Sequence, residues 1–476
     1  MSGIGQLGVT GLASDSRDVA PGYLFAALPG TREDGARFVA DAVRRGAKVV
    51  LGRPPLRAEA ETLGVRFIAD DNPRQRLAKI AAEFSGSQPK TIAAVTGTNG
   101  KTSVCVFLRQ IWEHQGREAA SLGTIGVVAS FGLIPLRHTT PDAVALHALL
   151  ARLERRGVEY LALEASSHGL DQYRLDGVRI AAAAFTNLTR DHMDYHRDVA
   201  HYLAAKLRLF RELVASDGIG VVNADARHAP DFIAAAEARG LRLVTVGEQG
   251  ETLRLADRSP RSESQLLRVE FDDRSYSVDL PLVGDFQASN ALVAAGLAIG
   301  LQDSPEEVFA ALAHLKGAPG RLEIVARSQQ GAPIYVDYAH TPDALETVLC
   351  ALRPHVAGRL ALVFGCGGER DPGKRNLMGA IAARRADCVI VTDDNPRNEK
   401  PAEIRREILA ACPGAREIGD REEAIGSAVS ALEAGDALVI AGKGHESGQF
   451  VGGVERPFID SAQAIKAALS CGGAAA

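Results

Sequence analysis

Short runs of β-branched and small apolar residues recur along the chain, each followed by a longer Ala/Leu-rich stretch with helical spacing. They are AKVVLG (47–52), TIAAVTG (91–97), YLALEA (160–165), GIGVVNAD (218–225), RLALVFG (359–365), DCVIVTD (387–393) and DALVIAG (436–442). This alternation predicts an α/β protein of parallel sheets with crossover helices. Polar stretches bearing Pro, Gly and Ser, SGSQPK at 85–90 and LKGAPGRLE at 315–323, interrupt the rhythm. They predict three domains, 1–88, 89–318 and 319–476. The segment 251–283 is more polar, with period-two alternation in QLLRVEF and SYSVDL, and predicts a small antiparallel appendage on the middle domain. The terminal CGGAAA reads as disordered.

Composition narrows the function classes. A chain of 476 residues is long enough for two or three domains. Its net charge of -5 and the absence of a basic block argue against nucleic acid as a partner. The six cysteines form no CxxC pair and have no matching His spacing, so neither a zinc site nor a disulfide framework is expected. No leader-like pattern and no long apolar run is found, which predicts a cytoplasmic protein without membrane partners.

The clearest chemistry lies in TIAAVTGTNGKTSVCVFLRQIW, which has the strand, glycine turn and helix order of a phosphate loop. Gly97, Thr98, Asn99 and Gly100 let backbone N–H groups close on phosphate oxygens, Lys101 adds a charge, and Thr102 with Ser103 adds hydroxyls. Val95 stands where the full motif has a glycine, so the generic match is incomplete. Downstream, Val199, Tyr202, Leu203, Phe210 and Leu213 form a helical stripe that also carries Lys206. Such a lysine either snorkels to the surface or is buried with its amine made neutral and reactive. Glu164, Ser166, Ser167 and His168 follow one strand, and Asp191, His192, Asp194 and His196 follow another. Carboxylates and imidazoles at strand ends beside a phosphate loop suit a nucleotide-bound Mg²⁺.

GTNGKTS, EASSHGL, TNLTRDHMDYH and the helix of Lys206, in this order and spacing, resemble the Mur ligases of peptidoglycan synthesis along essentially the whole chain. The resemblance implies a uridine-binding N-terminal domain, a central ATPase domain and a Rossmann-like C-terminal domain. It also implies ATP and Mg²⁺ as cofactors, with Thr102, Glu164, His192 and a carbamylated Lys206 as metal ligands. By the same resemblance Ser16, Thr31, Arg32, Glu33, Thr139, Thr140, Ser166, Gln172 and Arg174 hold UDP-MurNAc-L-Ala-D-Glu. Asn290, Arg321, Asp337 and His340 fall on the ATP side, with Lys101, Lys206 and Arg321 acting in catalysis. Gln287 replaces the family's usual Asn, leaving any contact from it in doubt.

The pentapeptide DDNPR occurs twice. The first copy, 70–74, runs straight into a helix with Leu77, Ile80, Ala81 and Phe84 on one stripe, so Asn72 is expected as its cap and Pro73 in its first turn. The second, 393–397, is separated from the next helix and resembles the family's diaminopimelate-reading motif. That resemblance assigns Arg370, Asp394, Asn395, Pro396, Arg397, Gly442 and Glu446 to meso-diaminopimelate. Arg397 suits the distal carboxylate that lysine lacks. The implied reaction is ATP-dependent amide formation at the D-glutamyl γ-carboxylate through an acyl phosphate, by a monomer. A lysine-adding ligase, a folylpolyglutamate synthase and a non-catalytic nucleotide-binding regulator are the rival readings.

Overall fold

The computed structural model describes residues 4–30, 33–189, 191–193 and 195–476. Its contacts group into two units, Met1–Arg254 with Leu292–Val308 and Leu255–Ala291 with Phe309–Ala476.

In the first unit the apolar runs form one parallel ladder. Its order is Arg242–Gly247, Val214–Asn223, Ile180–Phe185, Thr91–Thr96, Tyr160–Glu164 and Ala119–Gly123. Gly126–Ala129 and Gly132–Ile134 continue it antiparallel. Ile92 to Val95, Leu161 to Leu163 and Ala182 to Phe185 are fully buried, as strands covered on both faces require. The phosphate-loop strand is therefore central, and its neighbours end in Glu164 on one side and the Thr186–His196 segment on the other.

A smaller parallel sheet precedes it, in the order Leu12–Ala13, Leu24–Ala26, Val49–Gly52 and Arg66–Ala69. The helix Pro73–Ser85 packs Leu77, Ile80 and Ala81 against Leu24, Val49 and Leu51. Asn72 Oδ1 accepts the Gln75 N–H at 3.2 Å and Pro73 opens the helix, as expected of the first DDNPR. Phe84 departs from the predicted stripe: it is exposed in the last turn, where a helix outruns its neighbours, and Val199 is exposed in the first turn of its own helix for the same reason.

The second unit holds a seven-stranded sheet ordered Arg416–Glu417, Cys388–Val391, Leu360–Phe364, Ala437–Ala441, Pro333–Asp337, Glu323–Arg327 and Ala474–Ala475. The first five are parallel, and Glu323–Arg327 runs antiparallel to both of its neighbours. One expectation changes here. Ala474 and Ala475 are not disordered, because they pair with Arg327 and Ala326 and complete the sheet edge. The appendage forms the expected antiparallel hairpin, Gln265–Phe271 with Arg274–Leu280, while residues 255–291 group by their contacts with the second unit.

One ion pair ties this unit together from inside. Arg421 and Asp460, both wholly buried, meet through two 2.7 Å bonds, and Arg421 also donates to the Ala441 carbonyl at 3.0 Å. Removing one partner leaves a buried charge unmet, so Asp460→Ala is expected to cost about 3–5 kcal/mol in denaturant unfolding. The double variant Arg421→Met/Asp460→Leu should cost less than either single change.

Candidate active site

The ladder pairing of Val95 with Glu164 sets that carboxylate beside the phosphate loop. Thr102 Oγ1 donates to Glu164 Oε1 at 2.9 Å, and the Thr124 N–H donates to the same oxygen at 2.8 Å. Thr124 Oγ1 reaches Oε2 at 3.2 Å. The glycine at 123 makes this approach feasible, since a Cβ there would overlap the Glu164 carboxylate. A hydroxyl and a carboxylate in contact form the kind of oxygen pair a hard divalent cation prefers.

Lys206 does not snorkel. It is 1% exposed in the helix Val199–Arg208, and its Nζ donates to the Gly97 carbonyl at 2.7 Å. Lys101 Nζ donates to that same oxygen at 2.9 Å and to Thr98 O at 2.7 Å. Lys206 also lies 4.5 Å from the centroid of Tyr202, whose hydroxyl is 3.1 Å from Thr98 Oγ1. Burial, followed by repulsion from Lys101, holds the Lys206 ammonium well below the usual lysine range. Both effects disfavour the ammonium.

The imidazole residues of the two strand ends gather as the sequence suggested, His168 standing 5.7 Å from His196 between ring centroids. His192, in the left-handed backbone region at φ 55°, lies 3.5 Å from Asp191, with its ring edge-on to His168 at 4.9 Å. His196 Nδ1 is 3.1 Å from His201 Nδ1. Among the described residues no group of three or more His, Cys, Asp and Glu is arranged to hold a metal ion. Asp194 lies outside the described residues.

A second cluster is continuous with Glu164. Thr139 meets Thr124 at 3.0 Å, while Thr140 Oγ1 donates to the Glu164 carbonyl at 2.9 Å. Ser166 Oγ donates to Thr140 Oγ1 at 3.0 Å, and Arg174 Nη1 donates to Thr140 O at 2.6 Å. Arg174 also holds Gln172 Oε1 at 2.8 Å, and Gln172 Nε2 reaches the Tyr195 hydroxyl at 3.1 Å. Five predicted residues therefore form one connected group. Ser16 is buried and Glu33 exposed near the first sheet, and among the described residues no hydrogen bond joins either to this group. Thr31 and Arg32 lie outside the described residues, but their neighbour Pro29 accepts from Arg74 at 2.6 Å.

In the second unit, Gln287 turns out to be a connector. Its Nε2 donates to Arg321 O at 3.0 Å and its Oε1 accepts from Asn290 at 3.2 Å. The Arg321 guanidinium sits 4.5 Å from the Tyr338 centroid. Asp337 takes the Leu322 and Ala339 N–H groups, both at 2.7 Å, and burial raises its carboxyl to about 6. His340 is exposed, with Nδ1 2.9 Å from the Tyr338 carbonyl.

The second DDNPR opens onto a polar knot. Asn395 Nδ2 donates to Glu446 Oε2 at 2.9 Å, and Asn395 Oδ1 accepts the Phe450 N–H at 2.9 Å. Lys443, fully buried, donates to Glu446 Oε2 at 2.9 Å, to Gly448 O at 2.6 Å and to Asn395 Oδ1 at 3.3 Å. Gly442, at φ 117°, passes so close that a Cβ would stand 2.6 Å from Asp394 Oδ2. Arg397, at φ 53°, donates to Gly368 O at 2.7 Å. Pro396 is buried behind it and Arg370 is exposed.

Comparison with known proteins converges on one family. Models of the Mur ligase family match the chain over residues 8–85 (catalytic domain), 95–298 (middle domain) and 320–444 (glutamate ligase domain). The chain is 56% identical to UDP-N-acetylmuramoyl-L-alanyl-D-glutamate--2,6-diaminopimelate ligase of Bradyrhizobium diazoefficiens, over 98% of this chain and 96% of the relative. Identity to the ligase of that name from Caulobacter vibrioides is 53%, over 96% and 95%. The chain belongs to the Mur ligase family. A solved structure of a ligase with the same name superposes with a TM-score of 0.73 at 35% identity, covering 97% of this chain and 95% of the other. The Thermotoga maritima MurF ligase in complex with ADP shares the fold, with a TM-score of 0.61 at 20% identity over 98% and 97%.

Two side chains of this Mur ligase escaped sequence reasoning, Thr124 and Lys443, and the contact left in doubt at Gln287 is the bridge from Asn290 to the Arg321 carbonyl. Thr124 sits in a bare TIG turn with no local signal, whereas Lys443 stands between two glycines at a strand end. Gly123→Ala tests the Glu164 geometry. A displaced carboxylate is expected to lower Mg²⁺-ATP turnover about 100-fold, read by phosphate release, while thermal stability changes little.

Proposed function

We propose that this Mur ligase couples ATP hydrolysis to amide formation between meso-diaminopimelate and the D-glutamyl γ-carboxylate of UDP-MurNAc-L-Ala-D-Glu. The near full-length identity to ligases of that name carries the reading. It works on small molecules in the cytoplasm as a monomer, with functional domains 1–88, 89–318 and 319–476. Consistent with this, no helix among the described residues is long and apolar enough to cross a membrane.

The γ-carboxylate oxygen attacks the terminal phosphorus of ATP, and the bond to ADP breaks. The diaminopimelate amine then attacks the acyl phosphate, and phosphate leaves as the amide forms. The backbone amides of Gly97 to Thr102, Lys101 and Arg321 offset the charge that develops on the transferred phosphoryl group. Arg174, Thr140 and Ser166 orient the dipeptide, while Asp337, His340 and Asn290 bind on the nucleotide side. Asp394, Asn395, Glu446 and Gly442 hold the amino-acid backbone groups, and Arg370 and Arg397 take its carboxylates. Ser16, Thr31, Arg32 and Glu33 hold the uridine end.

Thr102, Glu164, His192 and a carbamate on Lys206 would hold Mg²⁺. When bound, Mg²⁺ neutralises phosphate charge. The amine, towards which burial and Lys101 push Lys206, is the form that adds CO₂, releasing one proton, and the product carbamate would set an anion beside the Lys101 cation.

Two measurements test this reading. Phosphate release with UDP-MurNAc-L-Ala-D-Glu, ATP and Mg²⁺ is expected with meso-diaminopimelate and not with L-lysine. Arg397→Ala should raise the KM for diaminopimelate about 100-fold, and Arg74→Ala should leave the preference intact. Equal turnover with lysine would move the assignment to a lysine-adding ligase. A carbamate carbon resonance from protein equilibrated with ¹³C-bicarbonate is expected in wild type and absent in Lys206→Gln; its absence from wild type would remove the carbamate.

A further inference from the structure

Between Arg321 and the Asn395–Glu446 knot stands a side chain that neither group uses. His445 follows Gly444, and its Nδ1 is enclosed without a hydrogen-bond partner among the described residues. A buried polar atom left unmet is costly, so such an atom calls for a partner that arrives with a ligand. The imidazole lies 5.2 Å from the ring of Tyr338, which also carries the Arg321 guanidinium at 4.5 Å and His340 at 4.6 Å. Its backbone packs on Gly320, where a Cβ would overlap the His445 nitrogen.

The charged groups acting on the ring are Arg321 and Glu446. Around Tyr338 stand Glu446, Arg321, Asp394 and Arg370. Glu446 is already committed to Lys443 and Asn395. His445 therefore stands where residues assigned to the transferred phosphate and to the incoming amino acid adjoin within one unit.

We propose that His445 is the base that accepts the proton of the amino group as it attacks the acyl phosphate, an inference that rests on the ligase reading above. With the ring proton on Nε2, the Nδ1 lone pair is available. The amine lone pair forms the C–N bond, and the cationic nitrogen of the tetrahedral adduct gives its proton to Nδ1. The C–O bond to phosphate then breaks with its electron pair, and the imidazolium returns the proton to the departing phosphate. Burial, together with the Arg321 cation, lowers the imidazole to about 4 in the empty site. A phosphoryl group on Arg321 cancels that cation, so the ring gains basicity once the acyl phosphate is formed.

Hydroxylamine separates the two half-reactions. It captures the acyl phosphate as a hydroxamate, and because it is a much weaker base than an alkylamine its adduct nitrogen sheds its proton to water without a protein base. In His445→Gln, kcat for amide formation at saturating diaminopimelate is expected to fall about 100-fold while hydroxamate formation stays unchanged. Equal loss of both products, loss of neither, or a raised KM with unchanged kcat would overturn the proposal. Should the melting curve show the Gln variant unfolded, His445→Asn is scored by the same outcomes. Wild-type protein that forms neither product would overturn the ligase reading itself.

Discussion

Two lysine nitrogens lean on one carbonyl oxygen. Gly97 O accepts from both Lys101 and Lys206, one from the phosphate loop and the other from a helix about a hundred residues later. A peptide oxygen carries two lone pairs but no net charge, so it directs both donors without neutralising either. Burial and the neighbouring Lys101 then push Lys206 towards its amine form. The parallel ladder makes this convergence inevitable: strand Thr91–Thr96 is flanked by Ile180–Phe185 and Tyr160–Glu164, so the loop, the carboxylate and the lysine helix gather at the same sheet end. An electropositive loop with a carboxylate at its rim is a place for phosphate and a cation to meet.

The amino-acid side is organised by a different device. Asn395 and Glu446 are far apart in sequence, and the buried Lys443 gathers them by donating to both and to Gly448 O. Gln287 acts similarly on the ATP side, joining Asn290 to the backbone of Arg321. Groups that would meet ligand are thus fixed by groups that would not, which keeps their orientation independent of occupancy. The Gln287 amide is long enough to reach the Arg321 carbonyl.

Much of this architecture was legible in the sequence because it follows from periodicity. The buried strands announce themselves as continuous apolar runs, and the cap at Asn72 follows from Asn-Pro before an amphipathic helix. Polar residues that the fold brings together were legible only where a motif carried them, as for Glu164, Thr102 and the Thr140–Ser166–Arg174 group. Contacts between distant segments left no local trace. Nothing in the TIG turn announces that Thr124 supports Glu164, and nothing in an Ala/Gly-rich tail announces that Ala474 and Ala475 will find an open sheet edge. A residue such as Phe84 misleads in the opposite sense, because periodicity cannot report where a helix runs past its neighbours.

The two buried lysines show how one residue type is turned to opposite uses by what lies within hydrogen-bond reach. Lys443 has a carboxylate at 2.9 Å, and the ion pair fixes both partners in place. Lys206 is buried beside a second lysine, which pushes it towards the amine against the pull of the Gly97 carbonyl and the Tyr202 ring. Exchanging these surroundings would reverse the two electrostatic settings. Burial alone therefore does not identify a functional lysine. The sign of its nearest neighbours does, and that sign is set by the tertiary fold rather than by the residues adjacent in sequence.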